Sequence, residues 1–378
     1  MSHLVSMLSG AGARLLPFWV PYRFFVAAVI FHVAAWGLLA MSAEPMAGFR
    51  GGAGSLLTAI HALTLGVFTT TVIGASLQIL PVATGQPLAS VRLARVVSWM
   101  YLPGVVVLLA GFHQGLVLLM AVGGGLVFLG LAIFGGLVVE ILRRADHILP
   151  TLQAYVRLSL LSLALVVTLG LLAVADFGLG LLPDHPAVAL THFLLAAFGF
   201  MGCLVLGYSH ILVPMFALSA SPPTSRWEVW LTATALGLAA SGALLGWPGL
   251  LLAATAVGLG VVGIYLRAMR ICLKSGMRKN LGLSFVLVRA SWGLLPLALL
   301  TGAGAAIFPD VDRLLTLFVF LTLFGWLLTF LVGILQRIIP FLAAMNASKG
   351  SMPRLSALAD DAPLQVHAVC HLIALALV

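Results

Sequence analysis

Acidic side chains are scarce in this chain. Ten Asp and Glu stand against nineteen Lys and Arg in 378 residues, and charged residues make up only 8% of the total. A soluble domain could not hide the apolar surface of a chain that is 62% hydrophobic, with a mean hydropathy of +1.19. The solvent is therefore lipid. The scarcity has a second consequence. Within the apolar runs no Asp or Glu is expected at depth, because Glu140 and Glu228 fall at the ends of spans. Coupled transporters and proton pumps bury acids or bases along a route, so this pattern argues against both.

Cysteine is nearly absent too. Cys203, Cys272 and Cys370 lie far apart and form no C-x-x-C pair, which leaves a disulfide framework or a zinc site without support. The N-terminal stretch "MSHLVSMLSGAGARLLPFWVPYRFF" has no short apolar core followed by a small-residue cleavage site. Residues 17–42 are expected as a retained first helix.

Apolar runs of about 20 residues recur along the rest of the chain. They predict eleven spans, near 17–42, 53–83, 95–112, 115–142, 151–175, 187–217, 227–246, 249–273, 283–307, 313–345 and 362–378. With the N-terminus cytoplasmic, the inner loops collect most of the Arg and Lys, including Arg143, Arg144, Arg267, Arg270, Lys274, Arg278 and Lys279. Glu44, Asp176, Asp184, Asp310 and Asp312 fall outside, with Arg50 and Arg313. The bias follows the positive-inside rule, so the net charge of +9 reports topology and a lipid bilayer rather than a nucleic-acid partner.

One pattern recurs three times. "GVFTTTVIGASLQILP" has Gly66, Gly74 and Pro81; "GFMGCLVLGYSHILVP" has Gly199, Gly207 and Pro214; "GWLLTFLVGILQRIIP" has Gly325, Gly333 and Pro340. Chance would give roughly 0.2 such patterns in a chain of this composition. The three copies fall on predicted helices two, six and ten. Arg23, Arg157 and Arg289 near the starts of helices one, five and nine add a second marker. The expected fold is all-α and integral to the membrane. Its 11–12 helices would form one membrane domain of three pseudo-repeated four-helix units, at 17–145, 150–275 and 283–378, the last lacking a twelfth helix. Glycines at this spacing let helix backbones approach closely, and they are expected to face a common axis. Each proline is expected to end or kink its helix.

A four-by-three arrangement of this kind resembles subunit I of the haem–copper oxidase superfamily. The text "HALTLGVFTTTVIGASLQILPVATGQPL" is similar to the second helix of its short NnrS-type branch, in which a His is followed by Gly five residues later and the helix ends in P-x-x-T-G. Here those positions are His61, Gly66, Pro81, Thr84 and Gly85. The resemblance implies a bacterial-type inner (cytoplasmic) membrane, bound haem of b type, copper as a further metal, nitric-oxide-related or redox chemistry, and other membrane or electron-transfer subunits as partners. The departures are as informative. Helices seven and ten contain no histidine, and helix six lacks the oxidase copper motif. The resemblance therefore implies no standard oxygen-reducing binuclear centre.

Imidazole is the natural axial ligand of haem iron and a common copper ligand. His61 is expected about 10 Å inside the outer end of helix two, where the resembled family binds haem, and is the leading candidate. His192, at the outer end of helix six, is two residues out of step with His61 in the pattern. Its ring should point to another side, though it could reach the same outer space. His32 in the outer half of helix one is a further partner. His367 and His371 form an H-x3-H pair on one helical face, which suits a metal clip in the inner half of the last helix. His210 is read as polar packing, while His113, His147 and His185 are expected in solvent. Three functions follow in order of preference: a haem protein handling electrons or nitric oxide, a haem-free structural or assembly subunit, and a small-solute transporter.

Overall fold

The computed structural model describes residues 16–42, 49, 51–145, 149–223, 226–347 and 360–376. Among these the chain is helical, with no strand. Eleven helices follow one another: α1 (Trp19–Met41), α2 (Ser55–Thr84), α3 (Val91–Gln114), α4 (Val117–Arg144), α5 (Pro150–Leu179), α6 (His185–Ala217), α7 (Arg226–Leu244), α8 (Pro248–Ser275), α9 (Gly282–Ile307), α10 (Asp312–Phe320, Leu321–Leu328 and Thr329–Ala347) and α11 (Asp361–Ala376). Local chemistry fixes several starts. Ser90 and Asp184 cap α3 and α6 by accepting from the backbone N–H of Leu93 (3.2 Å) and Ala187 (2.9 Å). Pro150 and Pro248 are the first residues of α5 and α8, where a missing N–H is not needed.

Nine of the described helices are long and apolar enough to cross a membrane. The two others fall short of the eleven expected spans. Helix α11 has 16 residues, below the roughly 20 needed for a bilayer core. Helix α7 has 19 residues and carries Glu228 and two threonines.

The helices gather in two compact units, residues 1–211 with 224–257, and residues 212–223 with 258–378. In the first, α3 and α4 form a tight antiparallel pair. Cβ atoms on Gly104 and Gly130 would lie 2.7 Å from Leu126 and 2.8 Å from Tyr101 across the seam.

Each of α2, α6 and α10 contains one π-helical stretch, Ala62–Thr69, Leu195–Gly202 and Leu321–Leu328. Each stretch begins four residues before the first glycine of the repeated pattern, at Gly66, Gly199 and Gly325. This accounts for the unusual spacing. In an α-helix eight residues overshoot two turns by about 80°, so two such glycines would face different neighbours. A π-helical bulge inserts one extra residue and restores the face. The following seven-residue step to the proline needs no such correction.

Each pair of glycines packs on the preceding odd-numbered helix. A Cβ on Gly66 would lie 2.5 Å from Phe31 Cγ, and one on Gly74 would lie 2.9 Å from Phe24 Cβ, both on α1. On α5, Ser162 Oγ and Tyr155 Cβ would lie 2.6 and 2.9 Å from Cβ atoms on Gly199 and Gly207. On α9, Leu294 and Leu287 meet Gly325 and Gly333, at 3.5 and 3.1 Å. The partner side chains are seven residues apart in each case, two ordinary α-turns against two turns with a bulge. By this contact register Arg157 and Arg289 each sit two residues after the inner partner, whereas Arg23 sits one residue before Phe24. Arg23 is thus one turn out of step, and donates instead to Ser98 Oγ at 2.7 Å.

Side chains add hydrogen bonds to one carbonyl in each stretch that also accepts a backbone N–H, from Thr70, Cys203 and Thr329. Leu65 O accepts from Thr70 Oγ1 (2.9 Å) and from Tyr101 OH on α3 (2.8 Å). Phe200 O accepts from Ser159 Oγ at 3.1 Å. Phe324 O accepts from Thr329 Oγ1 at 2.8 Å. The prolines end no helix directly. Three helical residues follow Pro81 and Pro214, and seven follow Pro340. Helix α2 stops where Gly85 takes φ +72°, a left-handed conformation that glycine adopts without strain.

Candidate functional site

His61 is the last residue of α2 before its π-helical stretch, and His192 lies three residues before the stretch in α6. Both are half-buried. Their rings come together: the centroids are 6.3 Å apart and the planes are inclined by 30°. The two-residue offset along the helices does not separate them, contrary to the expectation that their rings point to different sides. Phe112 of α3 backs the His61 ring at 4.8 Å.

Each imidazole is held through Nδ1. His61 Nδ1 is 3.0 Å from Leu57 O, one turn back on its own helix. His192 Nδ1 is 3.0 Å from Val166 O on α5. A carbonyl can only accept, so both Nδ1 atoms carry the proton and both Nε2 atoms present a lone pair. Gly170 makes the second arrangement possible, since a Cβ there would lie 3.1 Å from His192 Cε1. Anchored Nδ1 and basic Nε2 is the state that a metal-ligating histidine needs. Two imidazoles that shared one metal ion would stand about 6 Å apart between centres, from metal–nitrogen bonds of roughly 2 Å and roughly 1 Å from nitrogen to ring centre, a separation like that of this pair. Among the described residues no group of three or more His, Cys, Asp or Glu could hold a metal ion.

The other candidates separate. His32 on α1 accepts a hydrogen bond at Nε2 from Trp36 Nε1 (3.2 Å), which occupies the lone pair a metal would use. The proposed clip on α11 is divided: His371 is buried with Nε2 2.7 Å from Thr329 Oγ1, while His367 is exposed. One helical face does not guarantee one environment. His185, expected in solvent, is paired with Asp176 (Nδ1 to Oδ2 2.7 Å) and lies 5.1 Å from Phe177. His113 is exposed, and His147 lies outside the described residues.

A second cluster went unread in the sequence. Glu228, taken for a span-end residue, is fully buried in the first turn of α7. Tyr155 OH of α5 donates to its Oε1 at 2.9 Å. His210 Nε2 of α6 stands 3.8 Å from its Oε2. Thr232 Oγ1 donates to Glu228 O at 2.7 Å and lies 3.4 Å from Tyr155 OH. The argument against buried carboxylates therefore fails at this position. Its only signals in the sequence are a Glu four residues before a Thr and a His within an apolar helix, and neither indicates that three helices bring them together.

The sequence matches no family model and no curated protein.

Proposed function

We propose that the chain is a haem-binding electron carrier of a bacterial-type inner membrane, in which His61 and His192 would hold the haem. The observation that carries this reading is the pair of rings 6.3 Å apart, each fixed through Nδ1 to a backbone carbonyl. Haem bound there would supply one-electron chemistry at iron. The chain's own part is to hold two neutral imidazoles in one tautomer, with Phe112 and Gly170 setting their positions. A single copper ion is the alternative occupant, since imidazole suits it equally.

The architecture belongs to the same proposal. The three helices with π-helical stretches at one register, each packed by two glycines on the helix before the last connection, support three related four-helix units. The Arg and Lys bias supports a cytoplasmic N-terminus. The similarity to the haem–copper oxidase fold and to the NnrS-type text around His61 supports the haem assignment.

A reduced-minus-oxidised absorption spectrum of the purified protein, with metal analysis, tests the function. Haem bands with about one iron per chain are expected for two ligands on one iron. One copper and no haem would assign the pair to copper. Neither metal would leave the chain a structural or assembly subunit.

A further inference from the structure

We propose that Glu228 and His210, assisted by Tyr155, form a proton-binding site distinct from the histidine pair. The site takes one proton from water and shares it between Glu228 Oε2 and His210 Nε2. Hydronium gives up its proton and leaves as water, and no electron moves.

Geometry carries the assignment. Glu228 is 0% exposed and His210 4% exposed. Oε1 of Glu228 is held by the Tyr155 hydroxyl, whereas Oε2 accepts no hydrogen bond among the described residues. His210 Nε2 stands 3.8 Å from it. His210 Nδ1 is 2.9 Å from Leu206 O and so donates its hydrogen there, which leaves Nε2 on the side of the carboxyl group. With no proton between them the pair carries one buried negative charge; with one proton it is neutral overall. A buried site of low dielectric strongly favours the neutral state, and a shared proton also closes the gap that leaves Oε2 unsatisfied. Tyr155 donates to Oε1 in either state, which makes loss of the proton attainable rather than prohibitive.

The fold does not require polar groups here. Phe24 and Leu287 fill the sockets at Gly74 and Gly333 where Tyr155 fills the one at Gly207. Leu77 stands in α2 where His210 stands in α6, three residues after the second glycine. A cluster that the fold could build from hydrocarbon, and that leaves an unsatisfied carboxyl oxygen, is retained for its chemistry. The groups facing it are few. Helix α5 presents Tyr155, α6 presents His210 and Cys203, and α7 presents Glu228 and Thr232. Tyr208 is engaged with Ser76 Oγ at 2.6 Å, and Arg157 is exposed and bound to Gln153 Oε1. Among the described residues the basic group placed against the carboxylate is His210, at 3.8 Å.

The test is the infrared difference spectrum of the full chain in nanodiscs between mildly alkaline and mildly acid pH. Carboxyl and imidazole bands that titrate together are expected. Glu228→Gln keeps an oxygen for Tyr155 to donate to, and should fold and lose the carboxyl bands. His210→Ala removes one of two acceptors and should abolish the imidazole bands that change together with the carboxyl bands. Tyr155→Phe should shift the carboxyl band to higher frequency. His61→Ala should leave all of these unchanged, which separates failure of this site from failure of the haem assignment. Spectra without pH dependence, or carboxyl bands identical in the wild type and Glu228→Gln, would overturn the proposal.

Discussion

The side chain of Phe31 occupies the space where Gly66 would carry a Cβ, which would lie 2.5 Å from Phe31 Cγ and 2.7 Å from its Cβ. Atoms that close to the α1 backbone cannot swing away as the tip of a long side chain can. Gly66→Ala should therefore destabilise the protein by about 1–3 kcal/mol, the usual penalty of overpacking. Gly333→Ala meets the backbone carbonyl of Ser284 at 2.7 Å and should behave alike. Gly325 differs, since its nearest neighbours would be at 3.5 Å, an ordinary contact. There Ala should be neutral or stabilise by up to about 1 kcal/mol through helix propensity. Unfolding in mixed detergent micelles would measure all three. Equal losses at Gly66 and Gly325 would remove the packing account of the glycine spacing.

How far this arrangement can be read from the sequence differs from feature to feature. The glycine and proline positions in α2, α6 and α10 are legible, because backbone approach demands the absence of a side chain. The π-helical stretch behind the eight-residue step is not, since spacing alone does not reveal an inserted residue. Nor does spacing name the neighbours that the glycines meet, Phe31, Ser162 and Leu294. His61 stands out through its text context. Its partner His192 does not, because Gly170 and Val166 on α5 decide where that ring goes. Glu228 is the clearest loss: position on a span fixes its depth, but its burial comes from Tyr155 and His210 on two other helices.

Orientation can be tested on the segment between α8 and α9. Lys279 is exposed, whereas Gly276 is a poor probe because a Cβ there would lie 2.7 Å from Ala217 O. Cys203 and Cys272 are buried and Cys370 is exposed, so Cys370→Ser gives a quiet background. In that background Lys279→Cys should resist an impermeant maleimide in intact cells and react after lysis. Labelling from outside would reverse the proposed topology.

Helix α11 is tied to α10 through His371 and Thr329, 2.7 Å apart and buried. Thr329→Val keeps the shape but leaves the imidazole without that partner, at a cost of about 1 kcal/mol. Protease cleavage within α11 should rise about fivefold if opening precedes cutting. His371→Ala should do the same, and His367→Ala, at an exposed position, should not. Equal effects at His367 and His371 would argue against this contact as the tether.

The histidine pair gives the most specific set of outcomes. If His61 and His192 share one iron, His61→Ala should abolish the Soret band without unfolding the chain, because the α1–α2 glycine contacts remain. His192→Ala should leave iron with one axial position open, so that carbon monoxide or nitric oxide binds readily where the wild type resists. Gly170→Leu touches neither ligand chemically. It would drive a side chain into His192, whose Cε1 is 3.1 Å from the position of a Cβ there, and should lower haem or copper retention about tenfold or more. His32→Ala should leave the spectrum as it is, since His32 Nε2 is already committed to Trp36. Full haem retention in His61→Ala would exclude the assignment. Loss of haem in His32→Ala, with retention in His192→Ala, would move the second ligand to α1 and leave the 6.3 Å pair a packing contact.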